Sequence, residues 1–89
     1  MKVIGTDFKE YTIEPRADLS EAYLEDADLR WASLRDANLY RAYLIRTDLR
    51  EANLSDANLR GAVWNGETVF PKGFEIPERV GLRLLRRRL

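Results

Sequence analysis

Eighty-nine residues suffice for one domain, and a domain of this size buries only about 60–65% of its unfolded surface. Fifteen basic residues offset fifteen acidic ones, and there is no histidine and no cysteine. That excludes a global field for nucleic acid or anionic membrane, along with disulfides, thiol chemistry and thiolate metal sites. The balance is uneven along the chain: residues 17–66 hold nine acids and six bases, whereas residues 78–89 hold five Arg and one Glu. No apolar run reaches the length of a signal peptide or membrane span, so the expected location is cytoplasmic.

Residues 1–16 are predicted to form an irregular N-terminal coil or cap. Thr6-Asp7-Phe8 and Tyr11-Thr12-Ile13 copy the first three places of a phrase repeated downstream, which puts Phe8 and Ile13 at inward places. Met1-Lys2-Val3-Ile4 fits a short strand leading in. Pro15-Arg16 adds one residue before the repeat, and a bulge or turn is expected there.

Residues 17–66 repeat one five-residue phrase ten times, from ADLSE to AVWNG. The third place is Leu from Leu19 to Leu59 and then Trp64; the first is Ala except at Thr47; the second is mostly Asp or Asn. Period five suits neither regular element. On an α-helix successive leucines would step roughly 140° and leave no apolar face. In a flat strand an odd spacing throws them to alternate faces. Both failures disappear if the chain runs extended for three residues and then turns the same way each time. Ala and Leu then point inward, Asp and Asn outward, and stacked coils bond backbone to backbone at about 4.8 Å. The prediction is an all-β solenoid.

The Ala-Asp/Asn-Leu-x-x tandem resembles the pentapeptide-repeat family, without a gap from 17 to 66. The resemblance implies a right-handed quadrilateral β-helix with four pentapeptides per coil, so ten units make two and a half coils. On that register the inward columns are Leu19/Leu39/Leu59, Leu24/Leu44/Trp64, Leu29/Leu49 and Leu34/Leu54. The outward ladders are Asp18/Asn38/Asn58, Tyr23/Tyr43/Val63, Asp28/Asp48 and Ser33/Asn53. Thr47 is the one polar residue at an Ala place, and its hydroxyl is expected to bond a nearby carbonyl. Glu21 falls near Arg41, Asp26 near Arg46 and Arg30 above Arg50, so both signs share the faces as weak surface pairs. The tyrosine side differs. Tyr23 and Tyr43, with Tyr40 and Ile45 nearby, have the composition of a contact surface; cross-strand stacking of an exposed sheet is the other reading. Trp31 stands at a corner.

Residues 67–89 are predicted to form a C-terminal cap and a basic amphipathic tail. Trp64-Asn65-Gly66, Thr68, Phe70-Pro71 and Gly73-Phe74 resemble the closing segment of small bacterial, especially cyanobacterial, members of the family. Trp64, Phe70 and Phe74 are placed to lie across the last coil. From Pro77 a short helix is predicted, with Pro at its first position and Arg toward its negative end. Val80, Leu82, Leu84, Leu85 and Leu89 give it a broad apolar surface. These five are candidate interface residues for a homo-oligomer, because a marginal short solenoid gains by burying an open end. A two-fold pairing of C-terminal ends is expected. Arg83, Arg86, Arg87 and Arg88 are candidate phosphate contacts.

No catalytic constellation, cofactor motif or metal-ligand spacing is present in the sequence. Asp28 and Asp48 fall about one strand spacing apart but on a convex wall, and the Asp/Asn ladder fits solvated carboxylates better than a Ca²⁺ site. Three function classes follow: a non-enzymatic protein-interaction or structural module, self-associating; a DNA mimic that binds a topoisomerase such as DNA gyrase, as the resemblance implies for some longer members; and nucleic-acid contact through the arginine tail. The first is preferred. The chain departs from the mimics in length, in neutral charge and in mixed-sign faces.

Overall fold

The computed structural model describes residues 1–77. The expected helix from Pro77, the apolar candidates Val80, Leu82, Leu84, Leu85 and Leu89, and the arginines Arg83, Arg86, Arg87 and Arg88 lie outside the described residues or start at their limit.

Residues 17–70 form a solenoid of stacked coils. Parallel pairing joins Asp18 to Asn38, Tyr23 to Tyr43, Asp28 to Asp48 and Ser33 to Asn53, then Asn38 to Asn58 and Tyr43 to Val63. Partners are twenty residues apart and successive ladders five apart, so each coil has four sides. The bonding is repetitive. On one side Leu19 N–H donates to Asn38 O at 2.7 Å and Asn38 N–H to Ala17 O at 2.9 Å, and Leu39 N–H continues to Asn58 O at 2.8 Å.

Corners follow from the same repetition. From Ala22 to Ala62 each place-one N–H closes onto the carbonyl of the preceding Leu, as in Ala22 N–H to Leu19 O at 3.1 Å, and Ala17 N–H closes likewise onto Glu14 O. The fifth place takes a positive φ at every corner from Arg16 (65°) to Asp56 (60°), with Gly61 at 72°. That sign pattern belongs to type II turns, which favour Gly at this place; only Gly61 supplies one. Asp or Asn at place two compensates. Its side-chain oxygen accepts the N–H two residues on, as from Ser20 to Asp18 at 3.1 Å, Tyr40 to Asn38 at 3.0 Å and Ser55 to Asn53 at 3.0 Å. Such Asx bonds stiffen a turn from its own sequence.

The tube holds the expected leucines. Leu24, Leu29, Leu34, Leu39, Leu44 and Leu49 are fully buried, and Leu19, Leu54, Leu59 and Trp64 nearly so. Thr47 is buried too, and its hydroxyl donates to Leu24 O at 2.7 Å. Thr68 repeats the bond one coil later, to Leu44 O at 2.7 Å. One inserted residue after Gly66 makes this possible, because Val69 rather than the next residue in register pairs with Asp48.

Residues 1–13 are not an irregular first coil but an antiparallel hairpin, and Pro15-Arg16 make the turn expected there, as the first corner of the stack. Strand β1 (Lys2–Ile4) pairs with β2 (Glu10–Thr12) in the register Lys2–Thr12, Val3–Tyr11 and Ile4–Glu10. Gly5 and Lys9 close the hairpin around Thr6-Asp7-Phe8, with Phe8 N–H on Gly5 O at 2.9 Å and Gly5 N–H on Lys9 O at 2.8 Å. Such a three-residue loop needs a left-handed residue at its last place. Phe8 takes it, with φ of 67°. The inward place expected for Phe8 is therefore wrong: the loop projects its ring outward, and it is 89% exposed. Ile13 is buried as expected, and Val3 and Tyr11 pack on the core from the same end.

Candidate interaction surface

Three of the four sides follow the Asx pattern wherever place two is Asp or Asn. The tyrosine side gives that bond up on successive coils, with Tyr23, Tyr43 and Val63 in one parallel ladder. Neither phenyl ring nor isopropyl group offers an acceptor to the turn beside it. Stacking replaces it: the rings of Tyr23 and Tyr43 lie 4.7 Å apart at 6°. Such a pair contributes about 0.5–1.5 kcal/mol beyond the area it buries.

The surroundings extend the aromatic surface. Tyr40 stands at one bordering corner, 39% exposed, with the Arg41 guanidinium 5.4 Å from its ring centre. Ile45 stands half-buried at the other corner. All four sequence candidates on this side, Tyr23, Tyr43, Tyr40 and Ile45, thus share one neighbourhood. Trp31, at 75% exposure, is on a different corner.

The hairpin adds what the sequence pattern did not show. Tyr11 Oη accepts the Tyr23 N–H at 3.3 Å and donates to Asp7 Oδ2 at 2.6 Å. Thr6 N–H reaches Tyr23 O at 3.2 Å, and Thr6 Oγ1 donates to Glu25 at 2.7 Å. A side chain and one backbone amide therefore take the place of the missing coil beneath Tyr23. Gly5 allows the fit, since a Cβ there would come within 2.5 Å of Tyr23 O and 2.6 Å of the Tyr11 ring. Desolvation and the Asp7 carboxylate push the Tyr11 phenol above its ordinary value. Desolvation of Asp7 acts upward but is outweighed by the Tyr11 hydroxyl and the Lys9 N–H, which hold its carboxyl below the ordinary range.

Between hairpin and coil lies a recess of about 410 Å³, lined by Asp7, Lys9, Tyr11, Ser20, Glu21, Tyr23 and Tyr43. A second, of about 530 Å³, lies along the same corner one coil on, against Tyr40, Arg41, Leu59, Gly61 and Pro77. The sequence signal that fits the hairpin is the turn-forming Gly5-Thr6-Asp7 between Val3-Ile4 and Tyr11-Thr12-Ile13.

The acidic side offers no comparable site. The Arg30 Nε and Nη2 both bond Asp28 at 2.8 Å, and Arg50 bonds Asp48 in the same two-point way at 2.9 and 2.5 Å. Arg30 holds the Asp28 carboxyl down at about 2, and Arg50 likewise lowers that of Asp48. Both stay ionised at neutral pH and are matched by their own arginines, which suits neither a shared proton nor general acid chemistry. The pair of Asp26 and Arg46 is equally close at 2.7 Å, and Glu21 and Arg41 are looser at 3.9 Å. Among the described residues no group of carboxylates is arranged to hold a metal ion, and no helix is long and apolar enough to cross a membrane.

A family model described as pentapeptide repeats, in 8 copies, matches residues 16–50 and 27–64. No curated protein and no solved structure matches the chain. The matched residues cover more than half of the sequence and coincide with the stacked coils, so the chain belongs to the pentapeptide-repeat family.

Proposed function

We propose that this protein is a non-enzymatic interaction module, cytoplasmic and self-associating, whose contact surface is the tyrosine side. A right-handed sense of the coil and a helical C-terminal segment belong to the same proposal. The family supports the coarse reading, a structural or protein-interaction repeat. One observation carries the finer one. Place two normally stabilises its own turn through an Asx bond, yet on this side the bond is replaced by large apolar groups left 40% exposed at Tyr23. A purely structural wall gains more from Asp or Asn there, because an exposed ring still meets water. Exposed tyrosines grouped with Ile45 instead match the make-up of a protein contact. The arginine-matched carboxylates of the neighbouring side favour this over duplex mimicry, since a mimic needs uncompensated negative charge.

Light scattering on the parent and on Tyr23→Glu with Tyr43→Glu tests it. The parent is expected to gain mass with concentration and the double variant to remain monomeric with an unchanged far-UV spectrum. A folded double variant that associates like the parent overturns the tyrosine surface, and a parent that is monomeric throughout overturns self-association.

A further inference from the structure

The charge of this chain is graded along the sequence, which over residues 1–77 runs coil by coil up the solenoid. The hairpin and first coil, residues 1–36, hold nine acids and five bases. Residues 37–56 hold three of each, and residues 57–77 two of each. Residues 78–89 hold five Arg and one Glu. One end is therefore four charges negative, the middle neutral, and the opposite end of the sequence four positive. Pairing two C-terminal ends sets like charge against like; pairing opposite ends sets attraction at every approach.

Geometry singles out where on the negative end such a segment would land. The recess between the hairpin and the first coil joins two carboxylates, Asp7 and Glu21, to the rings of Tyr11, Tyr23 and Tyr43, with Lys9 the single cation on its wall. Aromatic faces beside carboxylates suit guanidinium groups on an apolar segment, through ion pairing and cation–π contact. Residues 78–89 have that composition: Arg83, Arg86, Arg87 and Arg88 interleaved with Leu82, Leu84, Leu85 and Leu89.

The departure point is aligned with it. Pro77, the residue before this segment, lines the second recess with Tyr40, Arg41 and Gly61, at the corner formed by residues 40–41 and 60–61. Glu21 stands at the same corner one coil below Arg41, 3.9 Å away. A second copy stacked along the axis would thus present its hairpin recess above the corner from which the segment leaves. Twelve residues span up to about 40 Å when extended, several coil spacings of about 4.8 Å. Leu54, Leu59 and Trp64 are already buried within one copy, so the last coil leaves little of its own core for a partner to cover.

We infer that residues 78–89 of one copy dock into the tyrosine-edged recess at the hairpin end of the next, joining copies head to tail. This rests on the self-association proposed above and names the second surface. Such a contact is heterologous, so it leaves one free recess and one free segment on every pair and grows by addition unless a ring closes.

Sedimentation and light scattering of full-length variants distinguish this arrangement from a symmetric one. In the tail variant, Arg86→Ser, Arg87→Ser and Arg88→Ser leave the recess intact. In the recess variant, Glu21→Gln and Tyr23→Ser leave the segment intact. The parent is expected to grow beyond a dimer with concentration, and to lose about tenfold in association constant between about 0.05 and 0.5 M salt. Each variant alone is expected to be monomeric, and their equimolar mixture to give a dimer of one of each that grows no further. A tail variant that associates as the parent does overturns the inference while leaving the tyrosine surface standing. So does a mixture that remains monomeric. If only the recess variant keeps associating, both the inference and the tyrosine surface fall. A parent that is monomeric throughout, as when the segment docks on its own chain, overturns the inference and self-association together.

Discussion

The two ends of this solenoid solve one problem with different chemistry. Any stack of coils ends in exposed core side chains and in backbone groups with no next coil to bond. At the C-terminal end the answer is chiefly apolar. Trp64 meets the Phe70 ring edge-on at 5.1 Å and 80°, and Phe74 stacks on Phe70 at 5.5 Å and 16°. At the hairpin end it is chiefly polar, with the Tyr11 phenol and the Thr6 amide completing the edge at Tyr23. The C-terminal end has a polar substitution too: Asn65 Oδ1 takes the Arg46 N–H at 3.3 Å. The comparison teaches that a fold too short to dilute its ends must cover side chains and satisfy backbone separately. Which one dominates decides what a mutation at that end does.

The aromatic end should be the more sensitive. Phe70→Ala removes the ring that both Trp64 and Phe74 touch, and it uncovers the top of the Leu29/Leu49 column. For a half-buried ring in this position a loss of about 3 kcal/mol is expected in urea unfolding. A loss below about 1 kcal/mol would show that the trio covers nothing essential and that the two ends contribute alike.

The polar end should lose less and lose it in a pH-dependent way. Tyr11→Phe keeps the ring on the core but leaves the Tyr23 N–H and the Asp7 carboxylate without their shared partner. A buried or half-buried group left unpaired costs about 1–2 kcal/mol. Burial and Asp7 raise the Tyr11 phenol above its ordinary value in the folded state. The contribution is therefore fully present below the unfolded value near 10, and is lost as pH rises through the higher folded value. The stability gap between parent and Tyr11→Phe should accordingly narrow in alkaline solution. A gap that is constant to the alkaline limit would place the cost in packing and not in the hydroxyl.

These two ends were unequally legible in the sequence. The apolar cap could be seen because Trp64, Phe70 and Phe74 interrupt a strict period just where coils must stop. The core was legible for the same reason, since the third place is Leu in nine units running and only the small first-place residue shares the inside with it. The hairpin was not, because Thr6-Asp7-Phe8 and Tyr11-Thr12-Ile13 copy the motif's first places closely enough to suggest another coil. What decides against a coil is long-range: the fit of Gly5 under Tyr23 and the reach of the Tyr11 hydroxyl across twelve residues. The role of place two was half legible. Outward direction follows from alternation, but the Asx bond to the turn depends on a backbone dihedral that composition does not reveal. For the candidate surface, the tyrosines were readable as a ladder. The recess beside them was not, because half its wall belongs to the hairpin.

The smallest expected effect isolates the turns from the ends. Phe8 and Trp31 are exposed aromatics with the same φ of 67°, one in the hairpin loop and one at a coil corner. A left-handed backbone costs an ordinary residue about 1–2 kcal/mol relative to glycine's freedom, and glycine returns part of that through the extra entropy of its unfolded chain. Phe8→Gly and Trp31→Gly should each gain about 0.5 kcal/mol, provided neither ring makes contacts that matter. Their exposures, 89% and 75%, say that few are made. Their backbones differ in one respect. The Trp31 N–H is tied to Arg50 O of the next coil at 3.0 Å, whereas the Phe8 N–H closes only its own loop onto Gly5. A freer glycine therefore has more room to fray the hairpin loop than the corner, and the gain at position 8 should be the lesser of the two. Chemical denaturation of both variants measures it. A larger gain at position 8 would show that the hairpin loop, and not the repeated corner, holds the greater backbone strain. A loss at position 8 would mean that the Phe8 ring stabilises the hairpin end through contacts its exposure does not reveal.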